Sequence, residues 1–343
     1  ISDCLVGSEM CIRDRLGTED DSPLHFGFDE AFLWRHKLKS SVKGFNGDKR
    51  DSRFASPWIQ HTRREDGKIE SDVKQYPYLY GPDLISDFAC DFIEANKEKP
   101  FFLYYPMALV HCPFDYTPDS EGWEENNLGS LTYKGNPEYF ADMVAYTDKI
   151  VGKIIDQLEA SGVRENTLII FTGDNGTDKP IVSMMGDQEV IGSKSIPIEW
   201  GTHVPFVASW PRSIPKGSFN SDLIDFSDML PTICEAAGID VPVDPLLTGR
   251  SFLPQLKGEQ GEPREWLYCW YHPRGHNDLK IFTRTEQYKL YKSGAFYDVS
   301  KDVLEQQPLE VSGLGEVAMV AHAQLQQALA GFEVLEQRHK EVY

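Results

Sequence analysis

The sequence predicts an α/β chain with a parallel-dominated central sheet flanked by helices, followed by a small antiparallel sheet and a terminal helix. Continuous apolar runs of strand length, at residues 101–105 and 168–171, alternate with amphipathic segments of helix length, as buried parallel strands do. Beyond Leu256 the pattern changes to short alternating segments separated by turns, which predicts antiparallel pairing. At 343 residues the chain is long enough for one large domain with a smaller appendage.

Taken in order, residues 1–15 (ISDCLVGSEMCIRDR) carry no initiating Met and no periodicity. They read as a translated adapter remnant and are set aside from the fold. The expected division is therefore a leader at 1–15, a main domain at 16–256 that lacks its amino-terminal part, and a carboxyl-terminal subdomain at 257–343. Residues 16–29 are loop-like, and Asp20-Asp21 within them reads as solvated loop, because no apolar strand precedes the pair to fix it. The charged tract at 37–74 reads as a surface excursion pinned by Trp58 and Ile59.

Gly81-Pro82-Asp83 opens a helix, with proline suited to its first turn and Leu84, Ile85, Phe88, Ala89, Phe92 and Ile93 at helical spacing. The strand at 101–105 leads to His111-Cys112-Pro113. Pro137 starts a long amphipathic helix that Gly162 closes. Residues 204–210 form another strand candidate, and 222–237 a helix kinked or broken at Pro231. Segments 266–271, 279–284, 288–292 and 295–299 predict the small antiparallel sheet. Val317, Met319, Val320, Leu325, Leu329, Phe332 and Leu335 predict the buried stripe of the terminal helix.

The balance of 34 basic against 54 acidic residues, a formal charge of −20, argues against nucleic-acid binding and requires any anionic substrate to be met by local positive groups. No apolar run approaches the roughly 18 residues of a membrane span. Six cysteines at 4, 11, 90, 112, 234 and 269 include no CxxC pair and no zinc-like spacing.

The chemistry concentrates at residues 167–176, an apolar run that ends abruptly in Asp174, Asn175 and Gly176. Side chains just past a buried strand are placed to meet a ligand. A carboxylate beside a side-chain carbonyl suits a hard cation, Ca²⁺ or Mg²⁺, rather than zinc. Asp-Asn-Gly is also an ordinary turn sequence, so both readings stand on these residues alone.

In chain order, Leu16-Gly17 with Gly27-Phe28-Asp29, the strand ending in His111-Cys112-Pro113, NTLIIFTGDNG at 166–176, and Lys194 eleven residues before Pro205 in KSIPIEWGTHVP together resemble a sulfatase of the alkaline-phosphatase superfamily. FSDMLPT at 226–232, GRSFLP at 249–254 and Tyr297-Asp298-Val299 resemble its carboxyl-terminal signatures. The resemblance implies an alkaline-phosphatase-like sandwich and hydrolysis of a sulfate ester of a small molecule or oligosaccharide. Asp174 and Asn175 would supply half of a Ca²⁺ site, Lys194 would contact the sulfate, and His111 would bind the sulfate or protonate the leaving alcohol. Periplasmic or secreted residence is implied as well. His203 stands where many members carry arginine and is not carried over. Outside the resemblance, Lys194 reads as a loop lysine and His111 as a structural histidine.

The departures are specific. The Cys-x-Pro-x-Arg or Ser-x-Pro-x-Arg motif, whose first residue becomes formylglycine, occurs nowhere in the 343 residues. The expectation is a piece of a longer enzyme, inactive alone, with the nucleophile and two metal ligands upstream. A phosphatase or phosphodiesterase of the same superfamily and a non-catalytic carbohydrate-binding relative are the rival readings. Trp123, Trp200, His272, Arg274 and His276 sit in loops that could face a sugar.

Overall fold

The computed structural model describes residues 2–8, 22–35, 53–130, 132–244, 247–271 and 279–342, with the backbone alone over 2–8, at 22 and over 334–342. Leu16, Gly17, Asp20, Asp21, His272, Arg274 and His276 lie outside the described residues. The chain divides into two compact units, Ile1–Thr167 and Leu168–Tyr343, so that the segments carrying Asp174 and Lys194 group with the carboxyl-terminal sheet.

In the first unit, β1 (Ser2–Ser8) lies between β2 (Glu30–Trp34) and β5 (Phe101–Tyr104), parallel to both. Part of the segment set aside as a leader is thus paired within the sheet. A short helix, α1 (Ser22–His25), precedes β2. The sheet continues antiparallel through β3 (Trp58–Glu65) and β4 (Lys68–Gln75), in the order β4-β3-β2-β1-β5. The charged tract, where it is described, is therefore largely a hairpin. Its two-residue loop is Asp66-Gly67, with φ of 48° and 74°, the paired left-handed conformation that matches strand twist and favours Asp-Gly. Trp58 and Ile59 are buried as expected.

Helix α2 (Gly81–Asn96) buries Ile85, Ala89 and Phe92 against Phe32, Trp34 and Ile59 of the sheet, and Phe88 stacks on Phe32 at 4.3 Å. Each fully buried large apolar side chain contributes roughly 1.5–3 kcal/mol. Helix α3 (Phe140–Ala160) follows a 3₁₀ turn at Pro137–Tyr139, and Gly162 beyond it is left-handed at φ 73°.

The second unit opens with β6 (Ile169–Thr172). Its partner is not a parallel neighbour: β9 (Phe206–Ser209) runs antiparallel to it, Ile169 opposite Ser209 and Thr172 opposite Phe206. No crossover helix separates them. The intervening chain is a hairpin, β7 (Val182–Met185) with β8 (Gln188–Ile191), then a loop and the four-residue α4 (Glu199–Thr202). A parallel return needs a crossover of a dozen or more residues that spans the sheet, and this excursion doubles back instead. The expected parallel-dominated sheet is corrected accordingly: among the described residues, only the β1 pairs are parallel, and the remaining strand pairs are antiparallel.

A 3₁₀ turn at Phe226–Asp228 leads into α5 (Met229–Ala237), and Pro231 falls in the first turn of α5, where its missing N–H costs nothing, so the helix is not broken there. The Asp228 carboxylate accepts from Asp225 N, Arg250 N and the Arg264 guanidinium, tying together the segments at 226–232 and 249–254. A Cβ at Gly249 would sit 1.8 Å from Ser227 O, so only glycine permits that approach. After α6 (Leu253–Leu256), strands β10 (Leu267–Tyr271), β11 (Lys280–Arg284), β12 (Tyr288–Tyr291) and β13 (Phe296–Asp298) form the expected antiparallel sheet in sequential order.

Helix α7 (Glu316–Val342) covers that sheet with part of the predicted stripe, Leu325, Leu329 and Phe332, the last stacked on Tyr268 at 3.8 Å. Ala318, Ala321, Leu325 and Ala328 are buried, while Val317, Met319 and Val320 face outward. Small side chains let the helix approach closely enough for Thr283 Oγ1 to donate to Leu325 O at 3.0 Å. No helix among the described residues is long and apolar enough to cross a membrane.

Candidate functional site

Asp174 and Asn175 follow the last residue of β6 by two and three positions. Asp174 is exposed and Asn175 partly so, and Asn175 Nδ2 donates to Asp174 Oδ1. Neither Asn175 nor Gly176 takes the left-handed conformation. Gly176 is required for its lack of a side chain. A Cβ there would lie 2.0 Å from Trp200 O, and Gly176 N donates to Gly201 O at 3.0 Å. With Gly173 N donating to Pro205 O at 3.3 Å, the β6 end is laced to residues 201–205.

Lys194 is brought to the same corner through its backbone: Lys194 N donates to Thr177 O at 2.9 Å, two residues past Asn175. The intervening hairpin is closed at its base by Gly192 N donating to Ile181 O at 2.8 Å. Lys194 is half-buried, and Ser195 beside it is left-handed at φ 72°, a conformation costing a non-glycine residue about 1–2 kcal/mol.

Two polar clusters from the antiparallel sheet hold this loop. Arg284 of β11 pairs with Glu199, whose other oxygen lies 2.8 Å from His203 Nδ1. Burial pushes the Glu199 carboxyl up, but the His203 hydrogen bond and the Arg284 guanidinium outweigh it and hold it at about 2. The same hydrogen bond raises His203 above its ordinary value. Lys289 of β12 is buried over the Phe282 ring, donates to Pro197 O, and meets Glu305 Oε1 at 2.7 Å. Burial lowers the Lys289 ammonium despite that carboxylate. Tyr291 OH donates to Glu305 Oε2 and lies 3.3 Å from Pro197 O, and burial with the Glu305 contact pushes its phenol up.

Of these holding residues, the sequence drew attention to His203 alone, and it was not carried over. The one local signal was the acid–base spacing of Glu199 and His203, four apart on a helix turn. The partners of the Lys289 cluster are separated by 92 and 16 residues and leave no local trace.

His111 belongs to the first unit, Asp174, Asn175 and Lys194 to the second. His111 Nδ1 lies 2.6 Å from Nη1 of buried Arg53 and 2.6 Å from Cys112 O. Of the loop aromatics, Trp123 packs edge-on against Tyr80 at 5.4 Å, and Trp200 is half-buried with its carbonyl against Gly176.

A carboxylate and an amide carbonyl side by side fit a hard oxygen-seeking cation, and they supply part of the six to eight oxygens calcium takes. Among the described residues, no cluster of three or more His, Cys, Asp or Glu side chains is placed to complete such a shell.

Residues 194–331 match the model described as N-sulphoglucosamine sulphohydrolase, C-terminal. An uncharacterized sulfatase, YdeN, of Escherichia coli (strain K12) is 33% identical over 222 residues, covering 62% of this chain and 38% of that protein. An arylsulfatase of Hemicentrotus pulcherrimus is 28% identical over 228 residues, 65% of this chain and 38% of that protein. The chain thus spans about two fifths of the length of these relatives. The structure of BT4656 in complex with its substrate D-glucosamine-2-N,6-O-disulfate shares the fold, with a TM-score of 0.62 and 20% identity, covering 99% of this chain and 80% of that one. The sulfatase family model matches residues 39–239, more than half of the sequence, and the chain belongs to the sulfatase family.

Proposed function

We propose that the native protein is a sulfuric ester hydrolase acting on a sulfated carbohydrate by a calcium-assisted, formylglycine-dependent route. The observation that supports the reading is the main-chain bond from Lys194 N to Thr177 O, which ties the backbone of the lysine to the segment two residues past the acid–amide pair. Lys194 binds the sulfate oxygens as a point charge where negative charge develops. Asp174 and Asn175 hold the calcium ion, which polarises the sulfate when bound. His111 donates to the ester or to the departing oxygen. A sugar substrate is supported by BT4656, whose substrate is a disulfated glucosamine. Periplasmic or secreted residence belongs to the same proposal.

The 343 residues contain no Cys-x-Pro-x-Arg or Ser-x-Pro-x-Arg, and the reading expects no ester turnover by these residues alone. The decisive experiment expresses the protein from its native gene and compares aryl sulfate, sulfated sugars and phosphate esters. Sulfate-ester turnover that is lost in D174N and K194A is the expected result. Preference for phosphate esters with a Thr or Ser nucleophile outside that motif would replace the reading by a phosphatase or phosphodiesterase. Sugar binding without turnover, on a degraded nucleophile motif, would make the protein a carbohydrate-binding relative.

A further inference from the structure

Arg53 is fully buried at 1% exposure, with its guanidinium over the Trp34 ring at 4.8 Å to the centroid. Its Nη1 donates to Cys112 O and lies 2.6 Å from His111 Nδ1. Arginine carries five N–H donors, has no acceptor, and keeps its charge in proteins. A nitrogen that close to the guanidinium is bonded to it only if it offers a lone pair. We propose that Arg53 is a positioning residue for His111, fixing the imidazole as the tautomer with its hydrogen on Nε2.

The competing arrangement puts the hydrogen on Nδ1 and donates it to Cys112 O, also 2.6 Å away. That carbonyl already accepts from Arg53, and a hydrogen on Nδ1 would face the Nη1 hydrogens across 2.6 Å. Cys112 Sγ, a weak donor 3.6 Å away, is compatible with a lone pair on Nδ1. The second ring nitrogen then carries the N–H. Against a sulfate oxygen or a departing alkoxide, an N–H is the useful group and a bare nitrogen is not. That use rests on the sulfate-ester reading, whereas the tautomer rests on geometry alone. Arg53 acts through His111 and touches no reacting atom.

Long-range ¹H–¹⁵N correlation spectra of the full chain, labelled at histidine and assigned with H111Q, read the tautomer directly. The expected spectrum has a pyrrole-type Nε2 and a pyridine-type Nδ1 for His111. In R53M the Nδ1–H form becomes populated, and R53K, which restores a donor, moves the signals back toward the wild type. A pyrrole-type Nδ1 in the wild type overturns the proposal, and so does a wild-type pattern that persists in R53M. Because the wild-type spectrum alone can refute it, a variant that fails to fold does not protect it. A native enzyme without sulfate-ester turnover but with His111 hydrogenated on Nε2 would sink the functional reading and leave this one standing.

Discussion

Two regions of the second unit, joined through one loop, differ in nearly every physical respect. The corner of Asp174, Asn175 and Lys194 is exposed or half-exposed, and its groups are held by backbone bonds from Gly173, Gly176 and Lys194. The base at Lys289, Glu305 and Tyr291 is dry, with the lysine and glutamate side chains 1% and 4% exposed. Groups that must meet a ligand cannot be saturated by the protein, so their precision has to come from elsewhere. Here it comes from buried charge gripping the carbonyl of Pro197, three residues past Lys194. The difference teaches a division of labour: on the proposed function the corner would carry chemistry and little stability, the base the reverse.

The strongest way to break that comparison is to remove the buried ammonium. K289M leaves Glu305 buried without its cation and should cost about 3–5 kcal/mol, read from the urea transition of the full chain. Replacing both partners, K289M with E305L, should recover much of the loss, because two matched apolar groups need no compensation. A K289M loss below about 1 kcal/mol would mean the base is not what holds the loop.

D228N should come next, at about 3 kcal/mol by the same measurement, since it leaves Arg264 with a side chain 6% exposed and no carboxylate. This change also sharpens the comparison spatially. It disconnects the segments at 226–232 and 249–254 without touching the Lys194 loop, so the backbone amide of Lys194 should keep its hydrogen-exchange protection in D228N and lose it in K289M.

What the sequence disclosed follows the same division. The strand that ends before 174–175, the helices at 81–96 and 140–160 and the carboxyl-terminal sheet were legible because each is written in a local pattern: an apolar run, a helical repeat, an alternation. The antiparallel pairing of β6 with β9 was not, because apolar strands read alike in either direction. The face of α7 was read correctly at Leu325, Leu329 and Phe332 and misread at Val317, Met319 and Val320, because large apolar residues were counted and the alanines that share the buried face were not. The hairpin at 58–75 was legible in its Asp-Gly turn, obscured by the charge of the tract around it. Arg53 and Lys289, both charged, are expected on the surface until a fold supplies their partners.

E199Q tests the link between the two regions through pH. The depressed Glu199 carboxyl stabilises fully above its ordinary value of 4.5, and that contribution is lost as pH falls toward about 2. The raised His203 contributes fully below its ordinary value of 6.5 and is lost as pH rises through its folded value. Both are complete between 4.5 and 6.5. The stability difference between wild type and E199Q should therefore peak in that window, on the order of 2 kcal/mol once partial solvent screening of the pair is allowed for. A difference flat from pH 2 to 8 would remove Glu199 from the linkage.

The smallest effect on folding belongs to the corner itself, and there the comparison is most exposed to failure. D174N and K194A alter side chains that are open or half-open to solvent, and each should move the urea transition by less than about 0.5 kcal/mol. Their ligand effects should be large and separate. Calorimetric titration of the chain with calcium should show weak binding that D174N abolishes and K194A retains, because the carboxylate holds the cation and the lysine the anion. Sulfate titration should show the opposite dependence on Lys194. Were D174N instead to cost several kcal/mol while leaving the calcium titration unchanged, Asp174 would be a structural residue of the β6 end, and the corner would belong with the base rather than against it.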